Sequence, residues 1–323
     1  MGALVAGVGY IGAKLIEDLV SAGEEVVALD NLSATSPAVV RALQNRLAFR
    51  FVKGSVLNPS KLREALRTLG RVDCVYHLAA QASSHADAAT PRYTENTNLL
   101  GSRLVFEEAF NAGASRIVFA SSLRVYGPFL VGRVTEDHPY GRFQDLSHLS
   151  KCYVEKLLEM MAYERGLTAV SVRLGVVHGL SPVMKTDYRY MTAPNKFCRQ
   201  AVRGERIRVH PSAQGQIGLI HVADASVALR TAAGCQMIEP YFAANAAPEV
   251  CSVARLAKLV REQAEARGLR VEIEGPTESE PAQWALVGSR LNTAGFAPQR
   301  QLGDSLGEVL DYFAARERIG RRG

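Results

Sequence analysis

Short, mostly apolar runs alternate with longer stretches whose apolar positions recur every three or four residues, and this alternation organises the first half of the chain. The runs at 3–6, 25–29, 47–52, 72–78, 116–120 and 169–174 predict six strands buried on both faces. Helical spacing is read over 13–20, from Ser33 to about Leu47, after Asn58-Pro59-Ser60, over 91–112 as one helix, and around Lys151 to about Arg165. Strand and helix in regular alternation predict an α/β fold: a doubly wound parallel sheet with a ligand crevice at the carboxyl ends of its strands.

Beyond Gly175 the alternation breaks down, and 180–195 carries Pro182 and Pro194 in loop-like company. Helices are expected near 196–204, 224–233, 252–267 and 305–315, with short strands near 207–209 and 219–221. This predicts a cofactor domain over 1–175 and a mainly substrate-binding α/β domain over 176–323, some segments of which return to the first domain.

The first chemistry lies in the first turn. Gly7-Val8-Gly9-Tyr10-Ile11-Gly12 joins the first strand to the first helix, and the second strand ends on Asp30. A dinucleotide needs this spacing: Gly7 makes the tight turn, Gly9 lets the backbone approach a pyrophosphate, and Gly12 lets helix and strand pack closely. Asp30 is placed to accept hydrogen bonds from ribose hydroxyls, and a carboxylate there favours NAD over NADP by repelling a ribose phosphate.

Composition narrows the class. Of 323 residues 47% are apolar and 22% charged, which fits a globular enzyme. The net charge of +6 owes much to the basic end at 316–322. No basic stretch interleaved with aromatics suggests nucleic-acid binding. The five cysteines show no metal-ligand spacing, and three of them, inside apolar or helical patterns, read as buried small hydrophobes, so no metal is expected. No apolar run reaches the roughly 18 residues needed to span a membrane, and the expected setting is a reducing cytoplasm.

The chain resembles the extended short-chain dehydrogenase/reductase family, the NAD-dependent sugar-nucleotide epimerases and dehydratases, which are Rossmann-type folds. The resemblance rests on the glycine turn, Asp30-Asn31-Leu32-Ser33, His77-Leu78-Ala79-Ala80-Gln81, Asn98-Leu99-Leu100-Gly101, Ser121-Ser122, Val125-Tyr126-Gly127, Ser150-Lys151 and Ile220-His221-Val222-Ala223-Asp224. It implies that Gly7, Gly9, Tyr10, Ile11 and Gly12 line the pyrophosphate of NAD. By the same resemblance Asp30, Asn31 and Leu32 meet the adenosine ribose, Ser55 and Val56 the adenine, and Leu78, Ala79, Ala80, Gln81, Asn98 and Lys151 the rest of the cofactor. Ser55 departs from a usual aspartate and Ala6 from a usual glycine.

The resemblance further implies hydride abstraction from a substrate alcohol, with a tyrosine four residues before a lysine as base and a serine on the preceding strand holding the same oxygen. Ser122 and Lys151 fit; the tyrosine is replaced by Ser147. A serine hydroxyl ends about 4 Å short of a phenol's reach and is far less acidic. His178, with Ser122, Ser147 and Lys151, is the expected catalytic set, while His148, His85, Tyr126 or a water relay to Lys151 are alternatives for the base.

Substrate contacts are expected from Ser83, Arg124, Val176, Asn195 and Arg199, with Lys185 and Arg189 as further cations for an anionic substrate. Where sugar-nucleotide members place an arginine and an aspartate before the Ile-His-Val strand, this chain has Ile217 and Gly218, and Leu123 and Arg124 replace the acidic pair of 4,6-dehydratases. Short stretches around 148–151, 175–179 and 197–201 are similar to the UDP-sulfoquinovose synthase branch. The leading expectation is transient oxidation of a carbinol on a sugar nucleotide or similar anionic metabolite by a homodimer. Two alternatives stand beside it: a non-sugar substrate with a changed reaction, and an NAD-binding protein without redox chemistry.

Overall fold

The computed structural model describes residues 1–83, 85, 87–143, 145–210, 215–276, 283–287 and 289–320, so the last basic residues, Arg321 and Arg322, lie outside the described residues. The first part of the chain forms β1 (Gly2–Ala6), α1 (Tyr10–Ser21), β2 (Glu25–Asp30), α2 (Pro37–Gln44), β3 (Arg50–Lys53), α3 (Pro59–Leu69) and β4 (Cys74–His77). It continues with α4 (Pro91–Thr94), α5 (Gly101–Asn111), β5 (Arg116–Ser122), β6 (Gly132–Val134), α6 (Leu146–Arg165) and β7 (Thr168–Leu174). Then follow β8 (Val176–His178), α7 (Ala193–Arg203), β9 (Ile207–Arg208), β10 (Gln216–His221), α8 (Val222–Gly234) and β11 (Tyr241–Ala246). The chain closes with β12 (Glu249–Ser252), α9 (Val253–Glu265), β13 (Ile273–Glu274), β14 (Trp284–Leu286), α10 (Arg290–Thr293) and α11 (Leu302–Gly320).

Seven strands form one parallel sheet in the order β3-β2-β1-β4-β5-β7-β11. Its direction of winding reverses between β1 and β4, which is where an open α/β sheet leaves a crevice for a ligand. Along β1 the side chains alternate between two cores. Ala3 and Val5 pack with Leu15 and Ile16 of α1 and Leu229 of α8, whereas Leu4 and Ala6 pack with Leu62 of α3, Phe106 of α5 and Leu158 of α6. This two-sided burial is why the strands read as continuous apolar runs.

The third strand lies at 50–53 rather than 47–52, and the second helix starts at Pro37, because Ser36 caps it by accepting from the Ala38 N–H and proline at the first helical position fixes the start. The single helix expected over 91–112 is a continuous path interrupted by one π-helical turn, Glu95–Leu100. The second half of the chain divides its elements. α8 packs on α1 and β11 pairs with β7 at the edge of the main sheet. Meanwhile α7, α9 and α11 enclose a separate core with Leu219 of β10. β14 pairs with β6 and brings Trp284 over Leu123 and Val125 at the end of β5.

Candidate active site

The glycine turn sits at the switch point, and its three glycines have three different tasks. A Cβ on Gly7 (φ 111°) would stand 2.8 Å from the Ala79 nitrogen at the end of β4, and one on Gly12 would stand 1.9 Å from the Gly7 oxygen. Both are closed to larger residues by the fold itself. A Cβ on Gly9 would meet nothing within 4 Å, so its bareness serves something outside the chain. The first turn of α1 has no side-chain cap, and an uncapped helix N-terminus beside open backbone fits a pyrophosphate. At the far end Asp30 accepts from the Val8 N–H at 2.7 Å and the Leu32 N–H at 2.6 Å. The second bond holds Leu32 at φ 62°, the left-handed region that branched side chains avoid. Each carboxylate oxygen keeps a lone pair for a ribose hydroxyl. Asn31 closes the loop by accepting from the Ser33 N–H, and Ser55 accepts from the Leu57 N–H. Ile11 and Val56 pack into the two cores. The residues present fit a bound NAD.

Several residues expected to touch ligands have side chains that brace loops against one another. The Tyr10 phenol turns away from the glycine turn, donates to the Gly179 carbonyl and accepts from Asn195 at 3.0 Å. Burial raises its pKa, so it stays a neutral donor. Asn195 is fully engaged there, also accepting from the Gly179 N–H. Ser83 donates to the Arg189 carbonyl at 2.6 Å, and Arg199 donates to the Thr186 carbonyl at 2.7 Å, so both fasten the 180–191 loop. Buried Asn98, on the π-helical turn, bonds both backbone groups of Gln81 and the Ser150 hydroxyl. It thereby fixes the 78–81 segment, including Leu78, Ala79 and Ala80.

Around the end of β5 the structure gathers Ser122, Arg124, Ser147, His148 and Lys151. Lys151 donates to the Ala120 carbonyl at 2.8 Å, with its ammonium 4.6 Å from the Phe119 ring centroid. Burial pulls its pKa down to about 8, against the opposing pull of Glu155 one turn along α6. Ser122 accepts from the Arg124 N–H at 3.2 Å, which leaves its own proton available for donation. Ser147 is buried and gives its hydroxyl to the Gln81 carbonyl at 3.1 Å, a tie that argues against its service as a base. His148 lies 3.9 Å from the Asp145 carboxylate, and its pKa is lowered, chiefly by burial and also by Arg124 and Lys151, while Asp145 opposes. It therefore stands within electrostatic reach of the cluster rather than on the outer surface.

His178 does not join that cluster. Its Nδ1 pairs with the Ser305 hydroxyl at 2.8 Å, and its ring meets His221 edge-on with centroids 5.5 Å apart. Burial pushes the two imidazoles down to about 3 and about 4, so both are neutral packing groups at ordinary pH. His85 rests edge-on against Tyr188, and Tyr126 donates to Asn245 inside a buried network. Val176 does line a cleft with Ser122 and Arg124, together with Ile217, Gly218 and Trp284. Lys185, with no hydrogen-bond or ion-pair partner among the described residues, stands 6.0 Å from the Tyr10 ring centroid. Burial lowers its pKa to about 8.

Sequence reasoning missed two groups. Trp284 enters the cleft through a strand pairing that no local pattern announces, and its being the chain's one tryptophan was the available signal. Behind Lys151, Glu155 and Arg173 form a buried ion pair at 2.7 Å; Arg173 also donates to Tyr126 at 2.6 Å, and Tyr140 donates to Glu155 at 2.9 Å. A charged residue inside an apolar strand and a glutamate on the buried face of a helix were the signals there.

The sequence matches the model of the NAD dependent epimerase/dehydratase family over residues 3–236. A UDP-glucose 4-epimerase of Neisseria meningitidis serogroup B is 30% identical over 247 residues, 68% of this chain and 69% of that protein. One from serogroup A is 33% identical over 162 residues, 48% of this chain and 46% of that protein, so the chain spans about half the length of several curated relatives it matches. Its fold superimposes on the crystal structure of UDP-glucose 4-epimerase with UDP-glucose from Thermotoga maritima with a TM-score of 0.83 at 23% identity, covering 99% of this chain and 100% of that one.

Proposed function

We propose, from the premise that the chain belongs to the NAD dependent epimerase/dehydratase family, that it oxidises a carbinol of a sugar nucleotide transiently and returns the hydride, as an epimerase-type enzyme. The observation that carries this reading is the seating of Lys151 on the Ala120 carbonyl of β5, two residues before Ser122, beside the switch point where Gly9 leaves open backbone. The UDP-glucose 4-epimerases among its relatives support a nucleotide-diphosphate sugar as substrate.

Gly7, Gly9 and the α1 N-terminus would hold the pyrophosphate of NAD, Asp30 its adenosine ribose, and Lys151 its nicotinamide ribose. NAD, when bound, supplies the hydride acceptor. Ser122 donates its proton to the substrate oxygen and keeps that oxygen in place. With Ser147 tied to Gln81, the proton acceptor is Lys151, directly or through one water, since near pH 8 about half of its population is the neutral amine.

The test is to incubate the purified protein with NAD and UDP-glucose and follow the sugar's stereochemistry by NMR alongside nicotinamide absorbance. Epimerisation abolished by Lys151→Met supports the reading. NAD binding with no hydride exchange on any sugar nucleotide would move the protein to the second reading, a nucleotide-binding protein without redox chemistry, which the commitment of Ser147 to Gln81 favours.

The working unit in this proposal is a homodimer. Leu149, Tyr153, Met160 and Tyr163 are exposed along α6, and Tyr93, Leu100 and Phe110 along the neighbouring 91–111 path, which together make an apolar two-helix face. The expected cytoplasmic setting is supported by five free cysteines. Among the described residues no helix is long and apolar enough to cross a membrane.

A further inference from the structure

Arg124 is the cation of the cleft that the chemistry above does not use. It follows Ser122 by two residues on the 3-10 turn closing β5, lines the cleft, and has no hydrogen-bond or ion-pair partner among the described residues for its guanidinium. The carboxylate acting on it, Asp145, is already accepting from the Ser147 N–H at 2.6 Å at the start of α6 and stands beside His148. A guanidinium carries five donors in a planar fork, and leaving them unmet in a half-buried site is costly. The other described residues that line the cleft, Val176, Ile217, Gly218 and Trp284 among them, supply no carboxylate. Arg124 is the one cation among the described residues that line this cleft, and Ser122 lines it too.

We propose that Arg124 selects the substrate by receiving a planar anionic group, a carboxylate, carried on the sugar ring next to the reacting carbon. The inference rests on the sugar-nucleotide reading and names the class of sugar: one with an acidic ring substituent. Because the Arg124 N–H itself bonds Ser122, the guanidinium stands within one side-chain length of the reacting oxygen, and a neighbouring ring substituent is the group it meets. The fork suits a carboxylate with two parallel bonds, a geometry that lysine does not reproduce.

The test titrates NAD-saturated full-length protein with UDP, UDP-glucose and UDP-glucuronate by calorimetry, with the emission of Trp284 reporting occupancy of this cleft. The wild type is expected to bind UDP-glucuronate about 10- to 100-fold more tightly than UDP-glucose. Arg124→Gln should erase that difference while leaving UDP-glucose and NAD binding in place, and Arg124→Lys should restore only part of it. Equal wild-type affinity for the two sugars overturns the inference alone. So does a loss in Arg124→Gln that is as large for UDP and UDP-glucose, since the guanidinium would then grip the diphosphate. Retained NAD affinity in each variant excludes misfolding as the cause. NAD binding without binding of either sugar nucleotide to the wild type overturns both this inference and the function it rests on.

Discussion

In the proposed mechanism, proton transfer turns on Ser147 and Lys151. The serine spends its hydroxyl on the Gln81 carbonyl, and the lysine is held near neutrality by burial. Only the deprotonated amine accepts a proton, so the rate of sugar oxidation should climb about tenfold per pH unit below the lysine's pKa and level off above about pH 8. A stopped-flow profile of nicotinamide reduction checks this, and a flat profile between pH 6 and 9 would remove Lys151 as the base. The Ser147→Tyr variant approaches from the other side. A phenol over the cleft should raise the oxidation rate by about 100-fold. An unchanged rate in a folded variant would mean that the chain performs other chemistry.

At the scale of elements, α6 is fastened to β7 and β5 by one carboxylate. Glu155 takes Arg173 from β7, Ser121 from β5 and Tyr140 from the loop before α6, with no water-exposed surface of its own. Removing one partner of such a pair leaves a buried charge unmatched, so Glu155→Gln should cost about 3–5 kcal/mol in denaturant unfolding. The same change removes the negative charge that raises the Lys151 pKa, so the rising limb of the rate profile should shift below pH 8. A stability loss without that shift would make the pair purely structural. The turn between β1 and α1 shows a similar division of labour. Gly12→Ala forces a Cβ onto the Gly7 oxygen and should destabilise the protein without any ligand, whereas Gly9→Val has open space to enter.

For the whole molecule, that difference becomes a cofactor assay. NAD at about a hundredfold over its dissociation constant should add about 2.7 kcal/mol, or about 4 °C in the melting temperature of a chain this long. Gly9→Val should leave the ligand-free melting temperature nearly unchanged and abolish the shift; a shift that survives would displace the pyrophosphate from the turn. The exposed face of α6 and the 91–111 path predicts a particle of twice the 35.0 kDa chain mass in light scattering. Leu149→Glu with Met160→Glu should halve it, and a wild-type monomer would cancel the expected pairing.

Local order was legible in the sequence because it depends on neighbours along the chain. Two-sided burial wrote the strands as apolar runs, the turn's steric needs wrote the glycines at 7, 9 and 12, and the missing phenol was visible at 147 by spacing alone. Which polar residues face a ligand was not legible, because a side chain's type does not say what stands opposite it. Tyr10, Ser83, Asn98, Asn195 and Arg199 carry the donors and acceptors that a binding site needs, yet contacts across 13 to 185 positions of sequence turn them into braces. The same long-range packing leaves the Arg124 guanidinium without a hydrogen-bond or ion-pair partner among the described residues, brings Trp284 into the same cleft and hides Glu155 against Arg173 behind Lys151. The sequence determined the sheet, the dinucleotide turn and the absence of the phenol; only the tertiary structure decided which charges stay unpaired in the cleft, since pairing and burial are properties of residues brought together by the fold.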